Sequence, residues 1–127
     1  MSSTITEGIR IQVRAAWWPE RSNPDGGQWA FTYTITITNE GPVQATLRSR
    51  HWIITDATGH VEEVRGEGVV GQQPTLGEGE SFEYTSWAML RTPFGSMTGE
   101  YLMERADGAT FEARISTFSL SQPHSLH

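Results

Sequence analysis

Three groups of residues in this chain have types and spacings that could carry chemistry. The first is Gly66-Glu-Gly-Val-Val-Gly71, which fits the pattern G-x-G-x-x-G. In a dinucleotide-binding fold such glycines follow a strand and open a helix whose N-terminal amides hold a pyrophosphate. No helical pattern comes after them in this chain: Pro74 stands three residues beyond the last glycine, Gly77 and Gly79 come soon after, and the next apolar pattern alternates. Residues 61–80 also hold Glu62, Glu63, Glu67, Glu78 and Glu80 against Arg65 alone, a net charge of −4 facing any phosphate. The favoured reading is that Gly66, Gly68 and Gly71 supply positive φ and close backbone approach in a connecting loop. Pyrophosphate binding at these glycines, or a protein-binding loop, stays open as the alternative.

The second group is His51, beside Trp52, and His60. A hairpin could bring the two together, and with Asp56 or Glu62 they would offer nitrogen and oxygen ligands to a divalent metal. No ligand spacing recurs, and a lone histidine in a strand more often packs or hydrogen-bonds. His51 and His60 are therefore kept as metal candidates only, and no cofactor is expected. His124 and His127, near the end of the chain, could capture a stray ion.

The third group would serve hydrolysis. Asp25, Asp56 and Asp107 each stand in a glycine-containing turn, where turn chemistry already explains them. No G-x-S-x-G elbow occurs, and with no cysteine there is neither a thiol nucleophile nor a disulfide framework. A non-enzyme is expected, with a nucleotide hydrolase as an alternative because triads assemble in space. Large rings remain as functional candidates. Trp17-Trp18-Pro19 leads into a long loop, and Trp87 and Phe94 flank the segment after residue 86. Interface anchors are enriched in such residues, so Trp18, Trp87 and Phe94 are the protein-binding candidates. Trp29 and Trp52 are read as core, and exposed edge strands offer a second route to a partner.

The elements that must position these residues are strands. Val, Ile and Thr number 29 against six leucines, a usage that favours sheet. Ile9, Ile11 and Val13 alternate with polar residues up to Trp17, and 18–27 is rich in turn formers. From Trp29 to Thr38 the alternation is nearly unbroken. Residues 44–55 begin another strand, in which Arg48 and Arg50 share parity and the run Trp52-Ile53-Ile54 implies a bulge or burial on both faces. Asp56-Ala-Thr-Gly turns into a strand at 60–65, and 66–80 is a glycine-rich loop. Strands resume at 81–88 and 97–105, and Asp107-Gly108 joins the latter to 110–118. About seven strands imply an all-β fold of two packed antiparallel sheets, a single domain over 1–120 with a flexible tail at 121–127.

Charge and length narrow the partners. The chain has 127 residues, nine arginines, no lysine and a net charge of −6, all of it from residues 61–127. Nucleic-acid binding needs clustered cations to release counterions, so no nucleic-acid partner is expected. No run of 18 apolar residues occurs and MSSTITEGIR lacks the features of a secretion signal, so no membrane partner and a cytoplasmic location are expected. An unidentified protein partner is expected, and a homodimer is left open.

Arg50-His-Trp-Ile-Ile-Thr-Asp, Val64-Arg-Gly-Glu-Gly-Val-Val-Gly-Gln-Gln-Pro, Gly79-Glu-Ser-Phe-Glu-Tyr-Thr-Ser and Gly95-Ser-Met-Thr-Gly-Glu-Tyr together resemble the ApaG (CorD-like) family over roughly residues 6–120. One departure is Ser86-Trp-Ala, where members often place Gly-Cys after the serine. The resemblance implies an immunoglobulin/fibronectin type III-like β-sandwich with sheets of three and four strands. It also implies a domain reused in eukaryotic F-box proteins and a polymerase-delta-interacting protein for protein–protein contacts. For the free-standing bacterial form it implies a loose association with cobalt and magnesium homeostasis and no established reaction. The function expected is a non-enzymatic interaction module. The alternative is a sensor of divalent cations or phosphorylated small molecules using Gly66–Gly71.

Overall fold

Alternation of apolar and polar residues is realised as strand wherever the sequence carries it. The computed structural model describes residues 2–123, with strands β1 (Ser2–Thr6), β2 (Ile9–Trp17), β3 (Trp29–Asn39), β4 (Ala45–Asp56), β5 (Val61–Glu67), β6 (Thr75–Leu76), β7 (Ser81–Leu90), β8 (Phe94–Arg105) and β9 (Thr110–Ser121). One antiparallel sheet has the order β1-β2-β3-β7 and the other β5-β4-β8-β9, with β6 added beside the start of β4. These sheets of four and five strands exceed the expected three and four by β1 and β6. β1 offers a single large apolar residue, Ile5, and β6 is two residues long inside the glycine-rich loop, so neither carries a pattern to read.

The two inner faces make the core. Ile9, Ile11, Val13, Phe31, Ile35 and Ile37 come from the first sheet, and Leu47, Met97, Tyr101, Met103 and Ile115 from the second. Trp52 stands between them, edge-on to Tyr33 at 5.4 Å, to Phe118 at 5.9 Å and to Tyr101 at 6.3 Å between ring centroids. Each such aromatic pair adds about 0.5–1.5 kcal/mol beyond area burial. On the outer face of the first sheet, hydroxyls and a carboxylate tie β3 to β7: Thr34 to Thr85 at 2.9 Å, Thr36 to Glu83 at 2.7 Å and Thr38 to Ser81 at 2.8 Å.

A bulge in β4 falls between Leu47 and Ser49, not at 52–54. The extra residue is Arg48, and it reverses the parity of the rest of the strand. Arg48 points outward and donates to Glu104 at 2.6 Å, whereas Arg50 and Trp52 point inward. The expected common face of Arg48 and Arg50 is thereby corrected.

Among the described residues the sheets are joined edge to edge along one margin. There the Arg114 amide donates to Thr6 Oγ1 at 3.2 Å and Ser2 Oγ to the Ser116 carbonyl at 3.4 Å, joining β9 to β1. On the opposite margin β7 and β5 are outer strands, and a cleft of about 520 Å³ opens between them. Of the segment expected to be flexible, Ser121 ends β9 and Gln122 is tied in. Its amide donates to the Pro93 carbonyl at 2.9 Å and its side chain accepts from Trp29 Nε1 at 2.9 Å. His124 and His127 lie outside the described residues.

Candidate functional site

The glycine motif lies partly in β5 and partly beyond it, and no helix succeeds it. Gly66 pairs with Arg50 across the β4–β5 ladder. The Gly68 amide donates to the Arg48 carbonyl at 2.9 Å, and the Val69 and Gln72 amides and carbonyls exchange bonds at 2.8 and 2.9 Å. Val70 and Gly71 form the tip of that two-residue turn with φ of 44° and 79°, both in the left-handed region that this hairpin type demands. Gly68 has φ 62°, and a Cβ there would lie 2.3 Å from the Gln72 carbonyl oxygen. The glycines therefore serve positive φ and close approach.

The charged group that the loop does receive is a cation. Arg50 Nη1 donates to the carbonyls of Glu67 at 3.0 Å and Gly68 at 2.9 Å. A pyrophosphate site presents amides to an anion, whereas these carbonyls face a guanidinium. The clasp holds Arg50 at the cleft, whose walls include Tyr33, Trp52, Val64, Ser86, Trp87 and Met89. Deeper in, the hydroxyls of Tyr84 and Tyr101 bond to each other between the sheets. Burial raises both phenols well above their ordinary range, and Arg50 partly opposes the rise.

Beside the cleft, two of the candidate tryptophans meet. After β2 the chain makes 3-10 turns at Pro19–Arg21 and Pro24–Gly26 and is tied back to Ala30. The Trp18 amide donates to the Ala30 carbonyl at 2.9 Å and the Ala30 amide to Ser22 Oγ at 2.8 Å. This folds Trp18 onto the outer face of the first sheet, where Trp87 projects from β7. Their rings stand edge-to-face at 6.1 Å, and Arg21 lies 5.9 Å from each centroid, within reach of the ring quadrupoles. Trp87 remains 47% exposed. Phe94, 55% exposed, sits at the start of β8 opposite Ser121, and among the described residues no aromatic contact joins it to the pair.

The histidines are kept apart. His51 pairs with Arg65, whereas His60 comes after the Asp56 turn, five residues further along β4, a separation of about 17 Å at strand rise. Asp56 Oδ1 is occupied by the amides of Thr58 at 2.9 Å and His60 at 3.1 Å and by Thr58 Oγ1 at 2.7 Å. Those donors hold its carboxyl below the usual range, the Thr58 hydroxyl foremost. His51 instead bridges two carboxylates on the outer face: Nδ1 to Glu100 and Nε2 to Glu63, each at 2.7 Å. Both ring nitrogens must donate to satisfy both acceptors, which is the imidazolium form, and the bonds to Glu100 and then Glu63 raise its pKa. No cluster of three or more potential ligands with metal-holding geometry occurs among the described residues. No described helix is long and apolar enough to cross a membrane.

Sequence reading missed Arg21, Arg50 and Arg91 as site residues. Arg50 was obscured by the bulge at Arg48, which decides its face. Arg21 and Arg91 stand in turns beside Pro19 and Pro93, and only the fold brings them to β7.

Fold and surfaces together define a small two-sheet antiparallel β-sandwich domain, open along one margin. A family model, the ApaG domain, matches residues 19–105. Protein ApaG of Ralstonia nicotianae is 56% identical over 119 residues, covering 94% of this chain and 96% of that protein. Protein ApaG of Anaeromyxobacter dehalogenans is 55% identical over 127 residues, covering 100% of both. A crystal structure from Bordetella pertussis superimposes with a TM-score of 0.88 at 46% identity, covering 97% of each chain. The chain belongs to the ApaG family.

Proposed function

We propose that the protein is a non-catalytic interaction module whose contact surface for another protein is the Trp18–Arg21–Trp87 cluster and the adjoining cleft. The observation that carries this reading is the cluster itself. Two tryptophans from opposite halves of the chain are held against one arginine, with Trp87 left half exposed. Tryptophan and arginine are the residue types that dominate interface hot spots. A fixed pair also loses less side-chain freedom on binding than a mobile one. The association of the family with cobalt and magnesium homeostasis is, on this reading, exercised through the partner.

The test is an amide NMR titration of labelled protein with ATP, GTP, Mg²⁺ and Co²⁺, then the same spectrum in clarified cell extract. Expected are no saturable shifts with the small ligands and selective broadening at Trp18, Arg21 and Trp87 in extract, lost on Trp87→Ala. Saturable shifts at Gly66, Gly68 and Gly71 with a nucleotide, or at His51 with a metal, would overturn the reading in favour of a sensor.

A further inference from the structure

We propose that β7 accepts an extended, acidic segment of a partner protein as an added strand, with Arg50 and Arg91 in the cleft receiving its carboxylates. The inference rests on the interaction reading above and specifies its mode. Besides the two-residue β6, four strands bound the two sheets, and three of them are guarded. β1 and β9 hold each other at the closed margin. β5 carries Glu62, Glu63, Arg65 and Glu67 within seven residues, charges of the kind that natural edges use against pairing. β7 differs. It has ten residues, SFEYTSWAML, in unbroken register with β3, and its single charge is Glu83. A long, regular and nearly uncharged edge is a template for an extended chain.

Charge selects the kind of chain. Of the nine arginines, five pair with carboxylates: Arg10, Arg14, Arg48, Arg65 and Arg105. Among the described residues Arg21, Arg50, Arg91 and Arg114 have no such partner, and three of these four surround β7. Arg50 and Arg91 line the cleft with Ser86–Met89, and Arg21 lies over Trp87. In a chain of net charge −6, the cleft is lined by Arg50 and Arg91 against one acid, Glu62, and that local excess of cation is complementary to an acidic segment. A second copy brings the same arginines and the same negative total, so it lacks that complementarity. Because strand side chains alternate, one set of the added residues faces Arg50, Tyr33 and Trp52 in the cleft. The other set lies beside Trp87 and Met89 on the outer face. The segment that fits alternates carboxylates with apolar residues.

The probe is an acetylated nonapeptide of alternating glutamate and valine, titrated into the labelled full chain. Two controls accompany it: the lysine–valine analogue, and the glutamate–valine peptide N-methylated at alternate amides to block main-chain pairing. Expected are saturable shifts along Ser81–Leu90 with the parent peptide and none with either control. Arg91→Glu, at an exposed position, should keep the fold and weaken binding about fivefold, the size of one exposed ion pair. The proposal is overturned by silence up to millimolar peptide, by equal binding of the lysine analogue or the N-methylated peptide, by shifts confined to β1 or β5, or by self-association that occupies β7. If strand addition fails while Trp87-dependent broadening in extract persists, only the mode is lost. If both fail, the interaction reading falls with it.

Discussion

Arg50 and Gly66 face each other across the β4–β5 pair, and the guanidinium stands where a side chain on Gly66 would begin, with Cζ 2.7 Å from the position of such a Cβ. A glycine that looks like part of a phosphate loop is the space left for an inward-pointing arginine. The next two carbonyls along the chain, from Glu67 and Gly68, complete the clasp.

Gly66→Ala should displace Arg50 and forfeit its two carbonyl bonds, at a cost of about 1–3 kcal/mol. Gly68→Val should cost at least as much, since it meets backbone at a positive φ, where about 1–3 kcal/mol of strain is usual before any clash. Urea midpoints at constant m-value measure both. An unchanged midpoint for Gly68→Val, with nucleotide affinity lost, would contradict the structural role assigned to the motif.

Val70 is a β-branched residue at φ 44° and 54% exposed. Asparagine suits the first central position of such a turn, so Val70→Asn should raise stability by about 1 kcal/mol. A thermal melt that moves down instead would show that the valine makes a contact outweighing its strain.

His51 links β4 to Glu100 on β8 and to Glu63 on β5, and its pKa is raised in the folded state, foremost by the bond to Glu100. The stability it lends is therefore complete below the unfolded value of about 6.5 and is lost as pH rises through the higher folded value. Melting temperatures between about pH 6 and pH 9 should fall more steeply in the native chain than in His51→Gln. Parallel profiles would remove the bridge as a source of pH dependence.

The tryptophans should divide by role. Trp52→Ala empties the centre of the sandwich and should cost about 3–5 kcal/mol. Trp87→Ala loses one edge-to-face pair and one cation–π contact, and should cost about 1–2 kcal/mol. Chemical denaturation of the two variants separates them. A large loss at Trp87 would make it a packing residue first.

The strands at 9–17, 29–38, 81–88, 97–105 and 110–118 are legible because alternation has one meaning in a two-sheet protein. β1 and β6 are not, because Ser2–Thr6 has one large apolar residue and Thr75–Leu76 is too short to alternate. Three large residues in a row, Trp52-Ile53-Ile54, disturb the pattern visibly and point to a bulge or two-sided burial there. The inserted residue, Arg48, disturbs nothing that can be counted from sequence, yet it decides which arginine points inward. Trp18 and Trp87 could be named singly from their rings, but their meeting depends on Ser22 tying the chain to Ala30, a contact between turn and strand that leaves no periodic trace. The carboxylates of His51 were hidden for a similar reason: register, not spacing, sets Glu100 beside it.

The two sheets are bound along the β1–β9 margin and unbound along the β5–β7 margin, like a pair of plates on one hinge. Whatever enters between β5 and β7 lies at the margin farthest from the Arg114–Thr6 bond. The Tyr84–Tyr101 bond spans the gap between the two sheets, so any parting of them at that margin has to break a buried hydrogen bond.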